Sequence, residues 1–438
     1  MIRSCLMLSG VLLVAEIVDG GQHHSHLSDF WNLRTDLFKD KGPQTGAHRQ
    51  GSTDKGAQTV HQWSSLEFEW PCDWVRGYYT EKGWFNPAAN VLSGVDVYKS
   101  DVYVTVLRTS QGVPSGLNKV VVKQGRSLLQ PFPSLQYNEA GNCSNLQFPI
   151  KSATDPNTGL MYVIDVGRTS IVPQPTDVIC PPKLVILDLK KKGALVRSYI
   201  FPASVVPAAT NMLNELALDY VSKSAPDVRY VYISDMLNEQ IIVLDLAQNA
   251  SWAFKHASMK PDTDTTIRIN GINYQAGFGI NGIALDPSYR FLYYSPVGSK
   301  KLHQIPTSVL REPSGDFTGR YRLAGTKASN SDGLVFGQKA LYYGALSLNA
   351  VYMWNLTQDL QKVSEDMVTI ATETLVAKDD VRFIWVESLT LDPSGHLWFT
   401  TSRMNEFLAG TLDVSGAKGS NFRINRVYVG DKPYLWKG

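Results

Sequence analysis

Polar side chains recur at an equivalent position in several segments that are otherwise apolar. Asn214, Asn281 and Glu387 each lie five residues before an aspartate that opens a turn, and Ser331 occupies the corresponding place in a looser copy. One carboxylate with neighbouring amides could bind the ammonium group of a small aromatic amine or a catechol derivative. The same oxygens could instead be ligands of Ca²⁺, or could line a hydrated interior that binds nothing. We expect a ligand-binding row at these positions.

A second row lies one residue later and contains Lys151, Glu215, Gly282 and Ser388. Because successive side chains of a strand point to opposite faces, we expect only one of the two rows to face the interior. Glu387 and Glu215 are the carboxylates that could transfer protons to a catechol ring, which makes them candidate catalytic residues. The sequence contains no HExxH, CxxC or phosphate-loop motif, so we expect no resident metal or cofactor, with Ca²⁺ as the alternative.

Both rows belong to a unit that recurs six times along the chain. The unit is a short apolar strand, a turn that usually begins with Asp, and a second strand marked by an aromatic residue. The aromatic residues of the six copies are Tyr103, Tyr162, Tyr232, Tyr293, Tyr342 and Trp398. A third strand follows in most copies. Repeats of this kind predict an all-β fold, a six-bladed β-propeller whose first strands line a central tunnel. A large β-sandwich is the alternative.

The composition is that of a folded protein with balanced charge. The chain of 438 residues has 42 Lys and Arg and 40 Asp and Glu, a net charge of +2. This balance argues against nucleic acid as a partner. The content of 43% hydrophobic and 19% charged residues is sufficient for a large core. We assign residues 61–438 to the propeller and expect a monomer.

The N-terminal region has the composition of a targeting segment followed by a linker. Residues 1–20 contain Arg3, an apolar run and then small residues, which is the order of a secretory signal peptide. Residues 21–60 are polar without apolar periodicity, which predicts a flexible segment. No later segment is long and apolar enough for a transmembrane helix, so we expect a secreted protein without a membrane span.

Secretion also bears on the cysteines and on glycosylation. Asn142, Asn249 and Asn355 begin N-x-S/T sequons and are expected to be glycosylated. If Cys5 is removed with the signal peptide, three cysteines remain, and an odd number means one disulfide with a leftover thiol or a bond to a second chain.

Several motifs together resemble the yellow / major royal jelly protein family. They include W-x-x-L-E-F at 63–68, C-P-P-K-L-V-I-L-D-L at 180–189, G-I-A-L-D-P at 282–287 and H-L-W-F-T-T-S-R-M at 396–404. The resemblance runs over about residues 63–426. It implies a secreted six-bladed propeller. Some members resemble dopachrome-converting enzymes of melanin formation, some salivary members bind biogenic amines in the tunnel, and royal jelly members are nutritive or associated with sterols and peptides.

The departures from the family pattern concern cysteines and one aromatic strand. Two family cysteines are missing together, one of them at Asn157, and the resemblance then implies a Cys143–Cys180 disulfide and a free Cys72. In amine-binding relatives the fifth blade often reads Asn-Leu-Phe-Phe. Here the same place reads Ala-Leu-Tyr-Tyr, so the amide is lost while Tyr342 and Tyr343 keep the aromatic character.

Three functions follow from these observations. The first is a secreted tunnel binder of a dopamine-, serotonin- or dopachrome-type molecule, linked to pigmentation or biogenic-amine chemistry. In it Glu387 is the counter-ion, Asn214 and Asn281 are polar contacts, and Tyr342 is a stacking wall. The second is a dopachrome tautomerase or decarboxylase that uses Glu387 or Glu215 as the base. The third is a structural or storage glycoprotein with a hydrated tunnel.

Overall fold

Six four-stranded antiparallel sheets surround a central axis in the computed structural model, which describes residues 56–169 and 178–438. The expected signal peptide and most of the polar segment lie outside these residues. The first blade consists of β2 (Leu92–Tyr98), β3 (Asp101–Val106), β4 (Leu117–Lys123) and β5 (Arg126–Pro131). The second consists of β6 (Pro149–Thr154), β7 (Leu160–Asp165), β10 (Lys183–Asp188) and β11 (Ala194–Ile200). The third consists of β12 (Leu213–Asp219), β13 (Tyr230–Asp235), β14 (Gln240–Asp245) and β15 (Ala250–Lys255).

The other three blades complete the ring. The fourth consists of β18 (Ile280–Leu285), β19 (Phe291–Pro296), β20 (Lys301–Pro306) and β21 (Arg322–Thr326). The fifth consists of β22 (Leu334–Phe336), β23 (Leu341–Ala345), β24 (Ala350–Trp354) and β25 (Glu373–Lys378). The sixth consists of β26 (Val386–Leu391), β27 (His396–Ser402), β28 (Phe422–Tyr428) and β1 (Gln58–Trp63). The six-bladed β-propeller predicted from the repeats is confirmed.

Short hairpins, helices and 3₁₀ turns accompany the six sheets. Two short hairpins pair β8 (Arg168–Thr169) with β9 (Val178–Ile179) and β16 (Thr266–Ile269) with β17 (Ile272–Gln275). The α-helices of the described residues are α1 (Asp73–Glu81), α2 (Thr307–Leu310), α3 (Leu356–Asp359) and α4 (Met404–Leu408). Single 3₁₀ turns span Pro87–Ala89, Gln136–Asn138, Leu189–Lys191, Ala257–Met259 and Leu346–Leu348. In the described part of the chain no helix is long and apolar enough to cross a membrane.

An N-terminal strand closes the ring. β1 pairs antiparallel with β28, so the last blade combines the two ends of the propeller sequence. Thr59 Oγ1 donates to Asn425 Oδ1 at 2.8 Å, and Trp63 Nε1 donates to the Ser127 carbonyl of the first blade at 2.8 Å. This pairing removes a free sheet edge and ties the first blade to the last.

The recurring turn aspartate and the recurring aromatic residue are physically linked. In the third blade Tyr232 Oη donates to Asp219 Oδ2 at 2.6 Å, and in the sixth Trp398 Nε1 donates to Asp392 Oδ2 at 2.7 Å. The other oxygen of Asp392 accepts the backbone N–H of Ser394, which forms the turn between the first two strands. In the third and sixth blades the aspartate and the aromatic residue therefore fix one hairpin together.

Hydroxyl groups on the second strands latch neighbouring blades. Thr400 Oγ1 accepts the N–H of Ser388 in its own blade at 3.3 Å and donates to the Ser93 carbonyl of the next at 2.6 Å. Ser234 makes the same two bonds with Glu215 and Asn281 at 3.0 and 2.7 Å. These latches position the first residues of the inner strands, where the polar rows lie.

The described cysteines are all in disulfides. Cys143 and Cys180 bond to each other, the pair that the family resemblance implies. Cys72 is disulfide-bonded as well, so the expectation of a free thiol is wrong.

The three sequon asparagines lie near the surface. Asn142 and Asn249 are exposed, and the Asn249 side chain accepts a bond from the Arg197 guanidinium. Asn355 is partly buried, and its Oδ1 accepts the N–H of Gln358 at 3.0 Å at the start of α3. Glycosylation at these residues stays a prediction.

Candidate functional site

Polar side chains converge on the propeller axis at the start of the inner strands. We call this group the axial cluster, and its members are Ser93, Lys151, Glu215, Asn281, Asp332, Glu387 and Ser388. They come from all six blades, because the first strand of each blade packs beside the first strand of the next. The inner strands position the cluster, and Asp332 lies two residues before the inner strand β22.

Both predicted rows contribute to the cluster, and the expectation of a single inward row is wrong. The strand register shifts between Leu213 and Leu216 in the third blade and between Val386 and Leu389 in the sixth. A bulge places two successive residues opposite one partner residue, so the strict alternation of side chains is lost there. Glu387 from one row and Glu215 from the other consequently reach the same group.

Asp332 and Glu387 form a coupled pair of buried carboxyl groups. Asp332 accepts bonds from Asn281 Nδ2 at 2.6 Å and from Trp385 Nε1 at 2.8 Å, while Glu387 Oε1 accepts from Ser93 Oγ at 3.0 Å. Burial, and then the neighbouring charge of Asp332, raises the pKa of Glu387 well above its ordinary value. Burial also raises the pKa of Asp332. The proximity of two buried carboxyl groups favours retention of one proton by the pair.

Lys151 and Glu215 form a buried ion pair beside these carboxyls. Lys151 Nζ lies 3.1 Å from Glu215 Oε1 and also donates to Ser388 Oγ. Burial raises the pKa of Glu215 to about 7, although the charge of Lys151 acts in the opposite direction. A Cβ at Gly333 would come within 3.0 Å of Glu215 Oε1, so the glycine leaves room for this carboxylate.

Several buried polar atoms at this end of the tunnel lack a hydrogen-bond partner. They are Glu387 Oε2, Asn281 Oδ1 and Ser331 Oγ, among the described residues. The amide nitrogens of Asn214 and Asn281 lie 3.8 and 3.9 Å from Met236 Sδ, which is a weak acceptor. Buried polar atoms are normally bonded, so the carboxyl and amide oxygens here are open to a ligand that donates hydrogen bonds.

Below the cluster an apolar cavity of about 80 Å³ follows the axis. Its walls are aliphatic side chains and Phe336 from the inner strands, and it also contacts Lys151 and Glu215. Asp96 adds a second carboxyl to the wall, and burial raises its pKa to about 7. The tunnel is therefore polar at one end and mainly apolar along its length.

The C-terminal residues close the opposite end, and we call residues 433–435 the C-terminal plug. Tyr434 lines the cavity, and its phenol donates to the Leu218 carbonyl at 2.8 Å and accepts the Leu218 N–H at 3.0 Å. Asn157 Nδ2 donates to the Leu435 carbonyl at 2.8 Å. Sequence reasoning missed the plug, although Tyr, Leu and Trp in a terminal segment were a signal that it is packed.

Tyr342 and Tyr343 lie away from the axial cluster. Both are on β23, the second strand of the fifth blade, where side chains pack between neighbouring sheets. The Tyr342 phenol lies 3.2 Å from Asp431 Oδ2, and the Tyr343 phenol donates to Glu373 Oε1. The structure therefore provides no stacking wall at Tyr342, and the aromatic residues that line the cavity are Phe336 and Tyr434.

Trp385 was not identified from the sequence. Its φ of 47° is uncommon for a bulky side chain, and it is buried with its indole bonded to Asp332. Backbone strain of this kind persists where surrounding contacts impose it and is concentrated at functional sites. Nothing in the local sequence signals this conformation.

The geometry gives no support to the Ca²⁺ alternative. Glu215 is committed to Lys151, and Asp332 accepts bonds from an amide and an indole. Within residues 56–169 and 178–438, no three His, Cys, Asp or Glu side chains are arranged to hold a metal ion.

The sequence model of the family described as "Major royal jelly protein" matches residues 154–433. The chain is 27% identical over 382 residues to Protein yellow of Drosophila subobscura, a match over 84% of this chain and 64% of that protein. It is 28% identical over 338 residues to Major royal jelly protein 1 of Apis mellifera, over 75% and 76%.

The chain thus spans about 64% of the length of that yellow protein. Among solved structures, a luciferin-regenerating enzyme aligns with a TM-score of 0.45 and 14% identity over 81% of this chain and 95% of the other.

Proposed function

Because the chain belongs to the major royal jelly protein family, we propose that it is a secreted yellow-like protein that binds a small aromatic amine at the axial cluster. The ligand is of the dopamine or serotonin type, with its ammonium group at Glu387 and Asp332. Its ring points along the apolar tunnel. A link to pigmentation or biogenic-amine chemistry is part of this proposal.

The observation that carries the proposal is a pair of buried carboxyl groups beside oxygen atoms that lack a partner. Glu387 Oε2 and Asn281 Oδ1 are buried acceptors without a partner among the described residues, and the Ser331 hydroxyl, which can accept or donate, has none there either. An alkylammonium group supplies three N–H donors and one positive charge. It would satisfy acceptors of this kind and replace the proton that Asp332 and Glu387 otherwise hold between them.

Ligand entry requires a rearrangement of the tunnel. The cavity of about 80 Å³ is smaller than the roughly 150 Å³ that accommodates benzene in a protein interior. The walls must therefore move before an aromatic ring fits. We expect the C-terminal plug to move, because Tyr434 lines the cavity and its movement breaks only two hydrogen bonds to the backbone of Leu218.

Calorimetric titration of the full chain tests this function. We expect dopamine and serotonin to bind with a Kd on the order of micromolar and butylamine to bind far more weakly, since it has no ring to bury. Glu387→Gln should weaken dopamine binding at least about tenfold. The matched control is Glu67→Gln, a carboxylate on the surface. No binding of either aromatic amine, or equal binding by Glu387→Gln, contradicts the proposal.

Proton transfer on a catechol ring is the second candidate. It is favoured by one observation, the coexistence of the proton-holding Asp332–Glu387 pair with Glu215, whose pKa is raised to about 7. A group that titrates near neutral pH can both donate and accept a proton. Conversion of dopachrome, lost in Glu215→Gln while dopamine binding persists, would establish this activity. Absence of turnover by the wild-type chain would reject it.

A further inference from the structure

A cleft separate from the axial cluster lies between a hairpin and the loops of the last two blades. We call it the hairpin cleft. Its volume is about 380 Å³, within the range of small-molecule sites. Its walls are the β16–β17 hairpin, the segment 380–384, the start of α4 and the segment 411–418. None of its lining residues belongs to the axial cluster.

Hydrogen bonds hold these walls together. At the hairpin tip, Asn270 Oδ1 accepts a bond from Asn349 Nδ2 at 2.6 Å, and Asn270 Nδ2 donates to the Asp380 carbonyl at 3.3 Å. On the other side, Asn405 Nδ2 donates to Tyr274 Oη at 3.1 Å. The hairpin is therefore tied to both facing walls, so the cleft is formed before any ligand binds.

Polar atoms with unused bonding capacity lie in the floor of the cleft. Arg403 and Glu406 form an ion pair of 2.8 Å between one guanidinium nitrogen and Oε1. Arg403 Nε, Glu406 Oε2 and Asn405 Oδ1 are buried and lack a hydrogen-bond partner in the described part of the chain. Asn405 is only 5% exposed, so its oxygen has little access to bulk water. One donor and two acceptors thus remain open side by side.

The charge and the apolar surface of the cleft narrow the choice of ligand. Arg403 and Lys418 are matched in number by Asp380 and Glu406, so the lining has no net charge. A ligand with one positive and one negative group suits such a lining better than a simple anion or cation. Ile272 and Val381 are 42% and 63% exposed and provide an apolar surface at the rim.

We propose that the hairpin cleft binds a free α-amino acid with a large apolar side chain. The carboxylate is bound by Arg403 Nε and the Lys418 ammonium, and the amino group by Glu406 Oε2 and Asn405 Oδ1. The side chain covers Ile272 and Val381 and removes their apolar surface from water. This inference does not depend on amine binding in the tunnel.

The test is calorimetric titration of the full chain, as wild type and as Glu387→Gln, with four related molecules. The four are compared with one another in Glu387→Gln, in which amine binding in the tunnel is weakened. L-Phenylalanine carries both charged groups and a ring, phenethylamine lacks the carboxylate, 3-phenylpropionate lacks the amine, and glycine lacks the ring. We expect L-phenylalanine to bind, and each of the other three to bind at least about tenfold more weakly, the effect of losing one charged hydrogen bond or the buried ring.

Amino-acid substitutions test whether L-phenylalanine binds in the hairpin cleft. Lys418→Ala and Val381→Ser change exposed residues at the rim and should each weaken L-phenylalanine binding without affecting folding. Glu406→Gln should weaken it further. Lys362→Ala, an exposed lysine elsewhere, is the matched control, and Glu387→Gln distinguishes the cleft from the tunnel because it should leave this binding unchanged. The inference is overturned if L-phenylalanine does not bind at millimolar concentration, if phenethylamine binds equally well, or if Glu387→Gln alone abolishes binding.

Discussion

The carboxyl groups of Asp332 and Glu387 interact directly, whereas Lys151, the cation of the axial cluster, pairs with Glu215 at 3.1 Å. The lysine that could neutralise the carboxyl pair is therefore engaged elsewhere. A buried pair in this situation keeps a proton or binds a cation from outside. This relationship is the reason why we propose an ammonium group as the ligand at this end of the tunnel.

The buried carboxyl of Glu387 should make stability depend on pH. Its pKa is raised well above the ordinary 4.5, so its contribution to stability is full below that pH and is lost as pH rises through the folded-state pKa. Glu387→Gln stays neutral and avoids this loss. We expect the free energy of unfolding of the variant, relative to wild type, to increase from about pH 5 to about pH 8. Urea unfolding at both pH values measures it, and an advantage largest at the lower pH contradicts the assignment.

Replacement of Lys327 should stabilise the protein most at low pH, which is the opposite of the pH dependence expected for Glu387→Gln. Lys327 is fully buried, donates to Ser295, and has a pKa lowered to about 7 by burial. The pKa of an unfolded lysine is about 10.5. The buried charge therefore lowers the free energy of unfolding by its full amount below pH 7 and not at all above pH 10.5. Lys327→Met should therefore raise the thermal midpoint, more at about pH 6 than at about pH 9.

An exposed lysine such as Lys362, changed to Met, controls for the hydrophobic substitution itself. A stabilisation by Lys327→Met that does not vary with pH would show that packing, and not the buried charge, is responsible.

The C-terminal plug should control access to the tunnel. Tyr434→Ala removes two hydrogen bonds to Leu218 and the ring at the end of the cavity, and should cost about 2–4 kcal/mol of stability. It should also allow indole, a neutral aromatic probe, to bind where wild type does not bind it. Lys432→Ala, an exposed neighbour, is the control. Equal indole binding by both variants would mean that the plug is not the barrier.

The hydroxyl latches should stabilise the ring of blades. Thr400→Val keeps the shape of the side chain and loses the bonds to Ser388 and Ser93, leaving two buried backbone groups unpaired. We expect a loss of about 1–3 kcal/mol in chemical unfolding. Thr390→Val, on the adjacent β26, changes a partly exposed threonine and serves as the reference. Equal stability of the two variants would show that the latch contributes little.

The blade architecture could be predicted because its signals are local. The turn aspartate and the strand aromatic residue recur close together in the sequence, and in the sixth blade Asp392 and Trp398, six residues apart, bond to each other. The polar positions Asn281 and Glu387 could be found in the same alignment. The bulges could not, because they arise where a hydroxyl such as Thr400 bonds to the neighbouring blade.

Contacts between distant segments account for the other differences between the features predicted from the sequence and the structure. Tyr434 bonds to Leu218, and Trp385 bonds to Asp332 in a strained conformation, and neither contact leaves a pattern in the surrounding sequence. The repeat alignment predicts Tyr342 as a stacking wall of the tunnel, whereas its phenol lies beside Asp431 near the C-terminus.

Counting protons during dopamine binding tests the central claim most directly. Titrations at about pH 6.5 in two buffers of different ionisation enthalpy give the number of protons exchanged. We expect release of about one proton, because the ammonium replaces the one held by Asp332 and Glu387, and no release in Glu387→Gln. Dopamine binding without proton release, or with the same release in the variant, would contradict an ammonium site at this pair.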